Sequence, residues 1–243
     1  MIRGDMENAT NGYRLVLWDI DGTLLSAGRV ARDAILLSLE TSYGWSYSPD
    51  HEDRGKFDFS GKTDPQIVRE LVMDDVGRER FESGLSRALD LYLEELERQL
   101  VPGVVVPKPG ITELLERLAA QPRVTLGLLT GNLERGARLK LGPPDFNRYF
   151  PFGAFGSDSA DRYQLPPIAV ERALAHAGRR FTGKSVVVVG DSIHDVACGR
   201  PLGVRAVAVA TGITSFEALA AERPDALFEN FADTDGALAA ILG

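Results

Sequence analysis

The sequence predicts an α/β fold: a doubly wound, Rossmann-like parallel sheet with an inserted α-helical domain. Three observations predict it. Residues 13–19, 124–129, 185–189 and 204–209 are nearly continuous apolar runs, the pattern of strands buried on both faces. Helix-period segments lie between the later runs, and strands alternating with helices specify a parallel sheet covered on both sides. Residues 30–106 break this rhythm, with helical patterning and no buried-strand run.

In chain order, residues 13–19 form the first expected strand. Residues 31–40, 65–73 and 79–100 read as helices of the insert. The last carries Phe81, Leu85, Leu89, Leu93, Leu96 and Leu100 at three- and four-residue spacing, an amphipathic stripe. A breaker cluster follows, Val101-Pro102-Gly103 through Pro107-Lys108-Pro109-Gly110. Together with Gly28 it supplies the exits of the insert, and both suit hinges. Residues 111–119 place Ile111, Leu114, Leu115 and Leu118 on one helical face. Strand 124–129, helix 133–141, helix 168–177 after Pro166-Pro167, strands 185–189 and 204–209, helix 216–221 and a weaker strand at 226–228 complete the pattern. The expected organisation is a flexible N-terminal tail over 1–12, a core formed by 13–28 and 107–243, and a helical domain over 29–106.

With 243 residues the chain buries a large core. A net charge of −8 with no basic stripe argues against nucleic acid as a partner. No apolar run approaches the ~18 residues of a membrane span, and residues 1–12 lack the apolar centre of a signal peptide. The single cysteine, Cys198, excludes an intrachain disulfide and fits a reducing compartment. The expected location is the cytoplasm, as a monomer or homodimer.

Four polar signals fall at the C-terminal ends of predicted strands: Asp19-Ile20-Asp21, Thr130-Gly131-Asn132, the region of Asp161-Arg162, and Gly190-Asp191-Ser192-Ile193-His194-Asp195. Ligands of open α/β sheets bind beyond those ends. Asp19 and Asp191 offer hard oxygen ligands to Mg2+, which also takes a phosphate oxygen. With the cation present, Asp19 can attack phosphorus and form an aspartyl-phosphate. Asp21 is placed to protonate the leaving oxygen and then to activate water. Thr130 and the turn at Gly131 and Asn132 offer a hydroxyl and backbone N–H groups to phosphate, and Arg162 offsets the equatorial charge.

These residues, with Gly22-Thr23 after Asp21 and Leu128-Leu129 before Thr130, resemble the haloacid dehalogenase superfamily over nearly the whole chain from Tyr13. The insert is similar to the small helical (C1-type) cap of its phosphoglycolate phosphatase-like branch. Phe59-Ser60-Gly61-Lys62-Thr63-Asp64-Pro65 resembles a loop of such caps. The resemblance implies a Mg2+-dependent phosphatase acting on a small phosphorylated metabolite, possible members being phosphoglycolate-like acids whose carboxylate Lys62 meets. It implies Asp19 as nucleophile and Asp21 as acid/base. The metal would be held by the carboxylates of Asp19 and Asp191 and the backbone carbonyl of Asp21, with Asp195 orienting metal-bound water or neighbouring groups. The third motif departs from the usual lysine followed by proline; Arg162, shortly before Pro166-Pro167, is the candidate, and Lys184 lies at the wrong end of its strand.

Other readings compete. A sugar-phosphate mutase or a phosphonate hydrolase is open on the same fold, and a phospho-accepting signalling domain also clusters aspartates, though with no large cap and about half this length. Gly61-Lys62-Thr63 is not a P-loop, because Lys56 stands where the earlier glycine is needed. His194 is expected to support rather than catalyse, His51 and His176 to be solvated, and Cys198 to pack a helix.

Overall fold

β1 (Arg14–Trp18) lies in the middle of a six-stranded sheet in the computed structural model, which describes residues 12–53 and 55–243. The tail expected over 1–12 lies outside the described residues apart from Gly12. β1 leads into a two-residue strand β2 (Leu25–Ser26), and four helices follow: α1 (Val30–Tyr43), α2 (Pro49–Asp53), α3 (Asp64–Val76) and α4 (Arg78–Gln99). The chain returns through β3 (Val106–Pro107), antiparallel to β2. It then alternates through α5 (Ile111–Ala119), β4 (Val124–Leu129), α6 (Glu134–Leu141), β5 (Gly153–Ala154), α7 (Leu165–Ala177), β6 (Val186–Gly190) and α8 (Ile193–Cys198). β7 (Arg205–Val209), α9 (Phe216–Ala221), β8 (Ala226–Phe228) and α10 (Thr234–Leu242) close the chain.

The strand order is β5-β4-β1-β6-β7-β8, with every neighbour parallel. The chain builds outward from β1 through β4 to β5, then crosses to β6 on the other side. Such a reversal opens a crevice at the carboxyl ends of the central strands. Both faces of β1 are covered, as its unbroken apolar run requires. Val16 and Trp18 pack with α5 and α10, while Leu15 and Leu17 pack with α7 and Cys198 of α8. Each such leucine, fully removed from water, contributes about 1.5–3 kcal/mol of burial free energy.

The inserted helices have a separate core. Ile35 and Leu39 of α1, Val68 and Leu71 of α3, and Phe81, Tyr92 and Leu96 of α4 form it. The α4 stripe is rotated slightly from the expected one: Ala88 and Tyr92 are buried, while Leu85 and Leu89 are only partly so. Leu133, between β4 and α6, joins this cluster and ties it to the sheet.

Several boundaries differ from expectation. α7 starts at Leu165, because Pro166 and Pro167 occupy its first turn, where a missing N–H costs nothing. α8 stops at Cys198, shortly before Pro201, and a 3-10 turn at Arg200–Leu202 follows. β2, β3 and β5 are two residues each, too short to show a period, and α2 and α10 were not anticipated. His51 is buried rather than solvated. Its Nδ1 accepts from Ser48 N–H at 2.9 Å, so Nε2–H donates to Asp75 Oδ2 at 3.1 Å, and Trp45 packs on the ring. His176 is exposed as expected.

Candidate active site

Asp19 follows β1, Thr130 follows β4, Asp191 follows β6, and Thr211-Gly212 follows β7, so four strand tips face one crevice. The loop before α3 and the start of α1 roof it. The result is a cavity of about 400 Å³ lined from both sides. Of the residues singled out from the sequence, Asp19, Asp21, Lys62, Thr130, Gly131, Asn132, Arg162 and Asp191 all line it. Asp195 lies just behind, in contact with Arg162.

Asp19, Asp191 and Asp195 are all buried and offer oxygens within 4.8 Å of one another. Burial, then the field of Asp195, holds the Asp19 carboxyl up near 7, although Arg162 pulls the other way. Burial, then Asp19, holds Asp191 well above the ordinary carboxylate range. One guanidinium therefore does not compensate the group. Arg162 Nη2 donates to Asp19 Oδ1 at 3.2 Å and to Asp195 Oδ1. Burial alone would lower its pKa, but Asp195 and Asp19 outweigh that and raise it above its usual value. Carboxylates this close and this dry call for a further positive charge, which a hard divalent cation on Asp19 and Asp191 would supply.

The backbone around Asp191 is shaped to let it in. A Cβ on Gly22, which has φ +87°, or on Gly212 would overlap the Asp191 carboxylate. Thr23, fully buried, donates its hydroxyl to Asp191 Oδ1 at 2.9 Å. Asp195 forms a capping box with Ser192 at the start of α8: Asp195 Oδ2 accepts from Ser192 N–H at 3.0 Å and from its hydroxyl at 2.6 Å. With Oδ1 on Arg162, both oxygens of Asp195 are engaged.

The Asp21 carboxylate is less enclosed, its side chain 42% exposed toward the cavity. Its Oδ2 accepts from Asn132 Nδ2 at 2.8 Å and from Lys140 Nζ at 2.7 Å. Thr130 Oγ1 accepts from Asn132 Nδ2 at 2.9 Å, which leaves the hydroxyl hydrogen available to a ligand. Lys62 Nζ is held by Glu70 Oε2 at 2.6 Å. Cys198 packs as expected, and burial pushes its thiol up to about 12.

Lys140 and Thr23 were not singled out from the sequence. Lys140 shares a helical face with Leu133 and Ala137, at spacings of seven and three residues. A lysine on an apolar stripe needs an anionic partner, and that was the available signal. Thr23 carried none beyond its place in the first motif.

The roof is joined to the sheet by short polar contacts. Asp64 N–H donates to Gly131 O at 2.8 Å, Leu133 N–H donates to Asp64 Oδ2 at 2.8 Å, and Thr63 hydroxyl donates to Ala160 O at 2.7 Å. Burial raises the Asp64 carboxyl to about 6 from 3.8, with Lys140 the main opposing influence. A raised carboxyl contributes stability that is full below about pH 4 and lost as pH rises through about 6. The shift corresponds to at most about 3 kcal/mol. Asp64→Asn keeps the acceptor for Leu133 and removes the charge. It should melt a few degrees above the wild type at pH 7.5, with the difference closing by pH 4. A difference independent of pH would refute this account.

A family model described as haloacid dehalogenase-like hydrolase matches residues 13–203. The chain is 26% identical to phosphoglycolate phosphatase 1 of Pseudomonas aeruginosa, over 93% of this chain and 79% of the relative. It is 25% identical to the pyrophosphatase PpaX of Bacillus pumilus, over 94% of this chain and 95% of that one. The crystal structure of a predicted phosphoglycolate phosphatase from Haemophilus somnus superposes with a TM-score of 0.69 at 19% identity, covering 93% of this chain and 98% of the other.

Proposed function

We propose, since the chain belongs to the haloacid dehalogenase-like hydrolases and is a phosphatase of their phosphoglycolate phosphatase-like branch, that it hydrolyses a small phosphate monoester through an aspartyl-phosphate on Asp19. The observation that carries the reading is the convergence of Asp19, Asp21, Thr130, Arg162 and Asp191 on one roofed cavity. Mg2+ fits the carboxylates of Asp19 and Asp191, with the Asp21 carbonyl as a third oxygen, because these buried acids lack sufficient positive charge. When bound, it would neutralise Asp19 and polarise the phosphate.

An Asp19 carboxylate oxygen attacks phosphorus, and the bond from phosphorus to the ester oxygen breaks. Its electron pair stays with the leaving oxygen, which takes a proton from the Asp21 carboxyl. Asp21, now ionised, takes a proton from water as that water attacks phosphorus. The bond from phosphorus to the Asp19 oxygen breaks, its electron pair restores the Asp19 carboxylate, and inorganic phosphate leaves with Asp21 protonated again. Thr130 hydroxyl and the amides at 131–132 bind phosphate oxygens, while Arg162 orients Asp19. Asp195 acts from behind, fixing Arg162.

Residues 29–106 act as the cap, excluding water and meeting the leaving group. A cavity of about 400 Å³ suits a metabolite of modest size. A phosphoglycolate-like acid is the leading class, on the strength of relatives bearing that name. Lys62 lines the cavity and is the candidate partner for such a carboxylate, in competition with its own pair to Glu70. Phosphate release from a panel of phosphorylated metabolites, with and without Mg2+, tests the reading. Mg2+-dependent release from a small monoester is expected; no release from any member would overturn it.

A further inference from the structure

We propose that Lys140 is a positioning residue for this reaction, holding Asp21 directly and Thr130 through Asn132. The inference rests on the acid/base reading of Asp21 given above. Lys140 is only 2% exposed, on the inner face of α6 with Ala137 and Leu141. A lysine is almost never buried to that degree without partners. It has two: Asp21 Oδ2 at 2.7 Å and Asn132 Oδ1 at 2.6 Å.

The chemistry of the ammonium fixes what its neighbours do. It has donors and no acceptor, so only the oxygen of the Asn132 amide can face it. The amide nitrogen must then face the other way, where it donates to Asp21 Oδ2 at 2.8 Å and Thr130 Oγ1 at 2.9 Å. Two donors thus converge on one oxygen of Asp21. Among the described residues none reaches the other, Oδ1, which is left to exchange a proton with the reacting oxygen. The same nitrogen keeps the Thr130 oxygen occupied as an acceptor, so its hydrogen points elsewhere. One buried charge therefore sets two side chains on two different strand tips. A direct phosphate contact by Lys140 is a weaker reading, because the two short bonds already hold Nζ against protein oxygens.

Removing the ammonium while keeping the bulk tests this. Lys140→Met should lower kcat by about 10- to 100-fold, the usual effect of losing an orienting partner, with little change in KM. Lys140→Arg should recover part of the loss, because it retains charge and donors. The deciding measurement is the double variant. Lys140 acts through Asp21 and, by way of Asn132, through Thr130, so Lys140→Met should lower turnover by much less in the Asp21→Asn background than in the wild type, the residual loss being the Thr130 share. Losses that multiply in the double variant would overturn the proposal, as would wild-type kcat in Lys140→Met. If Lys140→Met does not fold, Lys140→Gln and Lys140→Arg carry the test, and wild-type kcat in both would overturn it. A separate failure is readable: wild-type turnover in Asp21→Asn would remove the acid/base reading itself, and the role of Lys140 with it.

Discussion

Asp19→Asn should abolish phosphate release, lowering kcat by on the order of 10⁴-fold or more, while the protein stays folded. Nucleophiles that act within a catalytic unit show losses of that size when removed. The amide has nearly the same shape as the carboxylate, so neither the packing at the end of β1 nor the approach of phosphate should change. What disappears is the oxygen pair able to attack phosphorus. The site's other features remain: Thr130, the turn at Gly131 and Asn132, and Arg162 with its second partner, Asp195.

The same variant has a stability signature of opposite sign. Burial and Asp195 hold the Asp19 carboxyl near 7, against 3.8 ordinarily. Its contribution to stability is full below about pH 4 and is lost as pH rises through about 7. Above that, with metal chelated, an ionised Asp19 opposes folding. Asp19→Asn in a chelating buffer should therefore melt above the wild type at pH 8, and the gap should close toward pH 4. Added Mg2+ should raise the melting temperature of the wild type more than that of the variant, because it has lost a ligand. Phosphate release is measured directly, and melting by calorimetry. Undiminished turnover in Asp19→Asn would remove the nucleophile assignment.

Much of this candidate site was legible because parallel strands buried on both faces read as unbroken apolar runs, and each run ends at a tip that carries a candidate residue. Leu15 to Trp18 deliver Asp19, Val124 to Leu129 deliver Thr130, and Val186 to Gly190 deliver Asp191. Three tips with compatible chemistry constrain one another, so their sequence context alone points to one shared site. Arg162 was harder, because a 3-10 turn rather than a strand carries it. What stayed hidden depended on packing between distant segments. Lys140 sits in Glu134–Leu141, whose charged residues suggest a solvated helix. Its burial arises only when α6 lies beside the cavity. His51 reads as solvated for the same reason: Asp75, 24 residues on, closes over it from α3, while nearby Trp45 packs on its ring. The contacts between loop 62–64 and the tip of β4 involve mostly backbone atoms, which leave almost no trace in residue identity.

One trace they do leave is glycine. Gly131→Ala should cost about 100-fold in kcat/KM without unfolding the protein, on the basis that displacing a site by about 1 Å is enough to do so. The backbone at 131 does not adopt a conformation reserved for glycine, so alanine is not excluded by its φ. The obstacle is space. A methyl there would overlap the Lys62 carbonyl oxygen and lie 2.8 Å from its carbon and 2.9 Å from Thr63 Cα. These are main-chain atoms and have no rotamer to yield. Relief requires the segment 62–64 to lift. That movement breaks the bond from Asp64 N–H to Gly131 O and strains those from Leu133 to Asp64 and from Thr63 to Ala160. The sheet and the helical core of the insert are each complete without those contacts, so secondary structure should persist. The loss should fall on the roof of the cavity, which Gly61 and Lys62 line. KM should rise and kcat should fall together, unlike the Asp19 variant, whose defect is in kcat. Proteolysis at the breaker segment 101–110 should become faster as the cap separates. Wild-type kcat/KM in Gly131→Ala, with unchanged proteolysis, would show that the cap does not need this seat.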